Sequence, residues 1–155
     1  MKSQTCCFTG HRILPQVKIR QIQKHLRREI LRLIQKDVLF FCTGGALGFD
    51  TLAALTILEL KQLYPEIRLV LVLPCKDQTR NWKQTDIDVY TSIKSQADKV
   101  VYTSEFYTPG CMYKRNRYLV DHSGYCLYYL LRNTGGTAYT VHYAKEKGLT
   151  TISVN

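Results

Sequence analysis

Three glycine-bearing clusters carry the residues of this sequence best suited to chemistry: Thr9-Gly10-His11-Arg12, Thr43-Gly44-Gly45-Ala46-Leu47-Gly48-Phe49-Asp50, and Asn133-Thr134-Gly135-Gly136-Thr137. Glycine lets backbone N–H groups approach an anion with no side chain in between. A helix that starts just beyond aims its unpaired N–H groups and the positive end of its dipole at the same spot. The ligand such junctions suit bears phosphate. Arg12, Arg80 and Arg115 fall in or near the loops of this edge, and guanidinium forks match phosphate geometry. Taken singly, each cluster also reads as an ordinary turn or cap, and Asp50 serves equally as a helix-start carboxylate or as an acceptor for a ribose hydroxyl. Three clusters at equivalent junctions favour a phosphate or nucleotide site.

Two familiar forms of such a site are excluded. The second cluster is not GxGxxG, and no acidic residue follows at the end of the next strand, so an ordinary NAD site is unsupported. A P-loop needs Gly-Lys-Ser/Thr, which is missing. His11, His25, His122 and His142 do not pair with one another or with cysteines at ligand spacing, so no metal is expected. His11 stands apart because it sits inside the first junction. Neither GxSxG nor a Cys/His nucleophile arrangement occurs. The segment Met112–Asp121 offers Arg115, Asn116 and Asp121 as a fork, an amide and a carboxylate. It reads equally as an amphipathic helix burying Leu119 and Val120. If a reaction is catalysed, the candidates are Asp50, Arg115 and Asp121.

Positioning these residues requires an alternation of strands and helices. Strands are expected at Thr5–Thr9, Val38–Thr43, Arg68–Leu73, Lys99–Tyr102, Tyr125–Leu131 and Thr150–Val154. Helices are expected over residues 16–36, 49–63, 82–96, 112–122 and 138–147. The runs VLFFCT and RLVLVL are apolar throughout, which marks strands buried on both faces. The fold expected is α/β, a three-layer sandwich with a mostly parallel sheet of about six strands. In a parallel sheet every strand-to-helix junction lies on one edge, so the three clusters converge there, beside the point where strand order reverses.

The chain has 155 residues, and with hydrophobic residues at 45% and charged residues at 22% it belongs to the ordinary globular class, expected as one domain. Six cysteines are scattered with no CxxC pair, and four lie in apolar strands, where thiols act as small hydrophobes. No apolar run reaches the roughly 18 residues of a membrane span, and the opening MKSQTCCFTGHR lacks a signal-peptide core. A cytoplasmic protein with no membrane partner is expected. The net charge of +10 is concentrated: residues 1–36 hold nine Lys/Arg against Glu29 alone. On the first helix Ile19, Ile22, Leu26, Ile30 and Leu33 form one stripe, with Arg20, Lys24, Arg27 and Arg28 opposite. A solvated outer face is favoured over a nucleic-acid surface, because no aromatics are interleaved with these charges.

The ordered series FTGHR, CTGGALGFD with Ala53-Ala54, Leu73-Pro74, MYKRNRYLVD and GGT before the last helix resembles the YpsA-like branch of the SLOG superfamily. That superfamily of Rossmann-like domains also includes the DNA-processing protein DprA and the LOG phosphoribohydrolases. The resemblance runs over about residues 5–145. It implies a Rossmann-like domain that binds nucleotides or nucleotide-derived ligands of the ADP-ribose type, as a sensor, with no other cofactor required and with self-association into a homodimer. DprA-like binding of single-stranded DNA is a less favoured alternative. By position, Gly10 and Arg12 would line the first loop, Gly44, Gly45, Gly48 and Asp50 the second, Arg115 and Asn116 the fourth helix start, and Gly135, Gly136 and Thr137 the last phosphate loop. Met112 and Arg115 match the MxxR of the LOG enzymes, but their PGGxGTxxE motif is here altered, with Thr134 for the proline and Thr140 for the glutamate. Threonine is no general base near neutral pH, so LOG-type hydrolysis of a nucleoside 5′-monophosphate would need Asp50 or Asp121 as a substitute.

Overall fold

Apolar residues on both sides of each central strand require a helical layer on both faces of the sheet, and the computed structural model, which describes Met1–Asn155, has that arrangement. Its elements in chain order are β1 (Thr5–Gly10), α1 (Ile19–Gln35), β2 (Phe40–Thr43), α2 (Phe49–Lys61), β3 (Arg68–Leu73), α3 (Gln84–Gln96), β4 (Lys99–Tyr102), α4 (Cys111–Asp121), β5 (Tyr125–Tyr129), α5 (Gly136–Glu146) and β6 (Thr150–Ser153). Six strands form one sheet in the order β4-β3-β2-β1-β5-β6. All five pairings are parallel, so the sheet is wholly rather than mostly so.

The period-two rule divides the core. On β3, Leu69, Leu71 and Leu73 face a large cluster with Ile22, Leu26, Ile30 and Leu33 of α1, Phe49, Ala53 and Ile57 of α2, and Ile93 of α3. Val72 of β3, Cys7 of β1 and Cys126 of β5 face a smaller cluster with Leu119 and Val120 of α4 and Ala144 of α5. Helices α1, α2 and α3 therefore cover one face and α4 and α5 the other. The chain winds outward from β1 through β4, recrosses by way of α4, and resumes at β5 on the other side of β1. The order reverses between β1 and β5, and there the loops leaving the two strands diverge to opposite faces.

Several boundaries differ from the sequence expectation: β2 starts at Phe40 rather than Val38, α2 ends at Lys61 rather than residue 63, and α3 starts at Gln84 rather than residue 82. Residues 16–18 are a 3₁₀ turn ahead of α1. Strand β5 stops at Tyr129 because the next two amides leave the ladder: Leu130 N–H donates to Asn155 Oδ1 at 3.0 Å and Leu131 N–H to His11 Nε2 at 2.8 Å. Helix α5 begins at Gly136, two residues early, with Gly135 as its N-cap. All six cysteines are buried. Burial raises the Cys6 thiol well above its ordinary value and pushes Cys42 up to about 12, as befits residues that pack rather than react. No helix is long and apolar enough to cross a membrane.

Candidate functional site

A cavity of about 700 Å³ opens at the reversal point, above the C-terminal ends of β1 and β5. Its wall takes Gly10, His11 and Arg12 from the first cluster, Ala46 and Asp50 from the second, and Gly135, Gly136 and Thr137 from the third. Met112, Arg115 and Asn116 come from the start of α4. Separate stretches of chain thus meet along one rim.

Arg115 is the post around which the site is built. It is only 5% exposed. One guanidinium nitrogen donates to the Gly44 carbonyl, and Nε donates to Asn116 Oδ1 at 2.8 Å. Burial lowers the Arg115 pKa, and the neighbouring Asp50 carboxylate acts in the opposite direction. Asp50, in the first turn of α2 and 7% exposed, accepts from Ala46 N–H at 3.3 Å. Burial raises its pKa, with Arg115 and the loop amides opposing. A Cβ on Gly44 would overlap the Arg115 guanidinium and lie 2.9 Å from Asp50 Oδ2, so glycine is what lets charge, carbonyl and carboxylate pack together.

His11 is buried, and its Nε2 accepts the Leu131 amide, which requires the neutral ring with its proton on Nδ1. Burial and then the Arg132 charge lower its pKa. Arg12 and Arg132 are exposed on the rim, and neither makes an ion pair. Asp50 is the one carboxylate of the lining, set against Arg12, Arg115 and Arg132. No side chain caps α4 or α5, so the start of α5, whose Gly135, Gly136 and Thr137 line the cavity, has first amides without a side-chain partner. The arrangement attracts anions.

Several expected residues stand elsewhere. Gly44, Gly45 and Gly48 do not line the cavity; they are packing positions. Gly48, at φ +74°, lies so close to the His11 and Arg12 carbonyls that a Cβ would come within 2.6 Å of His11 O. Arg80 lines an adjoining cavity and sits 3.5 Å from Asp77. Asp121 occupies the last turn of α4, roughly 9 Å along the axis from Arg115, and accepts the Tyr143 hydroxyl at 2.7 Å. Thr140 is buried with its hydroxyl donating to Gly136 O at 2.8 Å within its own helix. Arg132 and Gln78 line the cavity without having been singled out from the sequence. Arg132 was legible in principle, directly after a strand and before Asn133-Thr134-Gly135. Gln78 had no signal, since only the path of the β3–α3 loop brings it in.

A wholly parallel, doubly wound sheet with its crevice at the reversal point defines the Rossmann-like class of α/β domain. The family model described as the YspA SLOG family matches residues 10–152. The chain belongs to this YpsA SLOG family. A UPF0398 protein of Brevibacillus brevis is 31% identical over 129 residues, which span 81% of this chain and 69% of that protein. A UPF0398 protein of Bacillus cereus is 29% identical over 130 residues, 82% of this chain and 71% of that one. In fold the chain is similar to DNA processing protein A from Streptococcus pneumoniae, with a TM-score of 0.71 at 15% identity, covering 98% of this chain and 50% of that one. The Helicobacter pylori DNA processing protein A, described for its single-stranded DNA binding mode, gives a TM-score of 0.72 at 17% identity, covering 98% and 65%. The chain spans only half of the first of these DprA chains and 65% of the second.

Proposed function

We propose that the crevice binds a nucleotide or nucleotide-derived phosphate ligand and that the protein acts as a sensor of it. The observation that carries this reading is the joining of Arg12, Arg115 and Arg132 with the uncapped start of α5 in one cavity. Backbone amides at a helix start and guanidinium forks are the two protein groups best matched to phosphate oxygens. A cavity of about 700 Å³ is also within the ordinary range for small-molecule sites. Isothermal titration against AMP, ADP-ribose, NAD and cyclic nucleotides tests it. Saturable heat with at least one is expected, and its loss in Arg12→Ala/Arg132→Ala. Silence with all of them overturns the reading.

Phosphoribohydrolase chemistry finds less support. Thr140 is turned into its own helix, Asp121 lies at the far end of α4, and Asp50 is committed to the Ala46 amide beside Arg115. No free base is expected on incubation with AMP, as followed by chromatography. DNA binding of the kind described for the Helicobacter pylori relative would use the outer face of α1. There Arg27 pairs with Glu59 and Arg32 lies 2.8 Å from Glu29, leaving Arg20 and Lys24 unpaired. Binding through these would fade steeply with added salt, whereas the buried Arg115 contact in the crevice would be less sensitive.

A further inference from the structure

The face of the sheet that carries α4 and α5 is only partly covered. Helix α5 packs on β1, β5 and β6 and α4 on β1 and β3, whereas strands of a parallel sheet are ordinarily buried on both sides. A groove of about 500 Å³ lies on the open part, beside α4. Its floor is Phe40 and Cys42 of β2, Val70 and Val72 of β3 and Val101 of β4, alternate residues of three neighbouring strands. Tyr118, Leu119 and His122 of α4 form one wall. Phe40, Val70 and Val101 remain partly exposed, while Phe41, Leu69 and Leu71, on the other side of β2 and β3, are at most 1% exposed.

The cations of the groove gather toward the N-terminal ends of the strands, the rim opposite the crevice. Arg68 and Lys99 follow the same alternation as the valines, Arg68 beside Phe40 and Lys99 beside Val70 in the register. Both are exposed, and neither forms an ion pair. The Arg68 guanidinium donates only to the Pro65 and Ile67 carbonyls, at 2.8 and 3.2 Å. Asp98 is the one carboxylate of the lining, and it already accepts from Lys61 Nζ and from the Leu69 N–H. One carboxylate against Lys61, Arg68 and Lys99 leaves positive charge over. Met1 and Thr5 complete the lining, with the Thr5 hydroxyl donating to the Met1 carbonyl at 2.6 Å. From Arg68 to Val72 the floor of β3 runs roughly 13 Å, cationic at one end and apolar along the rest.

We infer that this groove binds a medium-chain carboxylate, with its head group at Arg68 and Lys99 and its chain along Val70, Val72 and Val101. Covering the partly exposed floor with an alkyl chain supplies the affinity, and the volume is within the ordinary range for small-molecule sites. A second copy of the chain fits less well, because a two-fold interface centred on the groove would set Arg68 and Lys99 against their own counterparts. The crevice lies at the other ends of the strands and shares no lining residue with the groove, so neither site depends on the other.

Calorimetric titration of the full chain with octanoate and with octanol, which lacks the charge, tests this assignment. Octanoate is expected to bind at one site and about tenfold more tightly than octanol, as one charge-assisted contact would give. Lys99→Glu changes an exposed side chain and is expected to weaken octanoate about tenfold while leaving octanol unaltered. Val70→Thr keeps a β-branched residue in the strand and is expected to weaken both compounds alike. Absence of heat with octanoate, equal affinity for octanol, or unaltered octanoate binding in Lys99→Glu overturns the assignment. Sedimentation of the same samples examines the other occupant: a dimer that Val70→Thr dissolves and octanoate leaves intact would place a second copy in the groove and overturn it as well.

Discussion

Arg115 and Asp50 are each disfavoured by burial and each relieved by the other, so the pair is best understood as one unit beneath the crevice. Arg115→Ala is expected to cost about 2–4 kcal/mol in chemical denaturation, since it strips the countercharge from a buried carboxyl and the donor from Gly44 O. Asp50→Asn in the same chain should recover part of this loss. The pH dependence follows from the raised Asp50 pKa. The unfolded chain ionises at the ordinary carboxylate value while the folded chain resists, so stability declines as pH rises through the raised value. The deficit of Arg115→Ala is therefore expected to shrink in acid. His11 has the opposite dependence. Its pKa is lowered, so the unfolded chain takes up the proton first, and stability present above the ordinary imidazole value is lost as pH falls toward the lowered one. Thermal unfolding followed from about pH 7.5 to about pH 5 should show this slope, and His11→Gln, which has no proton to gain, should flatten it. His11 and Arg115 were both singled out in the sequence, and both line the cavity. The Nε2 bond to Leu131 was not legible there, because its two partners are far apart in sequence.

At the level of elements, the junction from β2 into α2 shows how a local rule and a tertiary constraint coincide. Gly48 adopts φ +74° and ψ −117°, a conformation suited to glycine, and the backbone carbonyls of residues 11 and 12 occupy the space of any Cβ. Phe49 N–H then donates to His11 O at 3.1 Å, locking the start of α2 to the loop after β1. Gly48→Ala is expected to lower stability by roughly 3 kcal/mol, because neither the backbone strain nor the clash can relax by side-chain movement. Denaturant midpoints would show it, and a loss under about 0.5 kcal/mol, the size of an ordinary surface change, would contradict the account. Glycine in this stretch was visible from sequence; in the fold Gly48 brings two loops into contact, and Gly44 makes room for the Arg115 guanidinium. Strand and helix cores matched expectation because apolar periodicity reports burial directly. The ends did not always match: β5 stops where side chains of His11 and Asn155 replace ladder partners, and α5 accepts Gly136 into its first turn.

At the level of the molecule, the two helical layers and the order of the strands decide where a ligand can enter. A ligand held at the ends of β1 and β5 ties together the loops that lead into the helical layers on the two faces of the sheet. It should therefore stabilise the fold as a whole. At a ligand concentration near 100 times Kd the gain is about 2.7 kcal/mol, corresponding to a rise in Tm of roughly 5–10 °C for a chain of this size. Thermal denaturation with and without ADP-ribose measures it, and Arg115→Ala, compared at its own Tm, should show a smaller rise.

What this amino-acid sequence determined by itself was the set of elements, the parallel character of the sheet and the single rim along which the glycine junctions meet. These follow from short-range patterns: the spacing of apolar side chains and the punctuation between them. Only the tertiary structure decided which members of each cluster face the cavity. It set Gly44 against the Arg115 guanidinium and Gly48 against the loop after β1, placed Arg80 in a neighbouring cavity and Asp121 at the far end of α4, and brought in Arg132 and Gln78. The reason is physical. A periodic pattern fixes which side of an element is buried, while the direction of a loop side chain depends on which other backbone passes within a few ångströms of it.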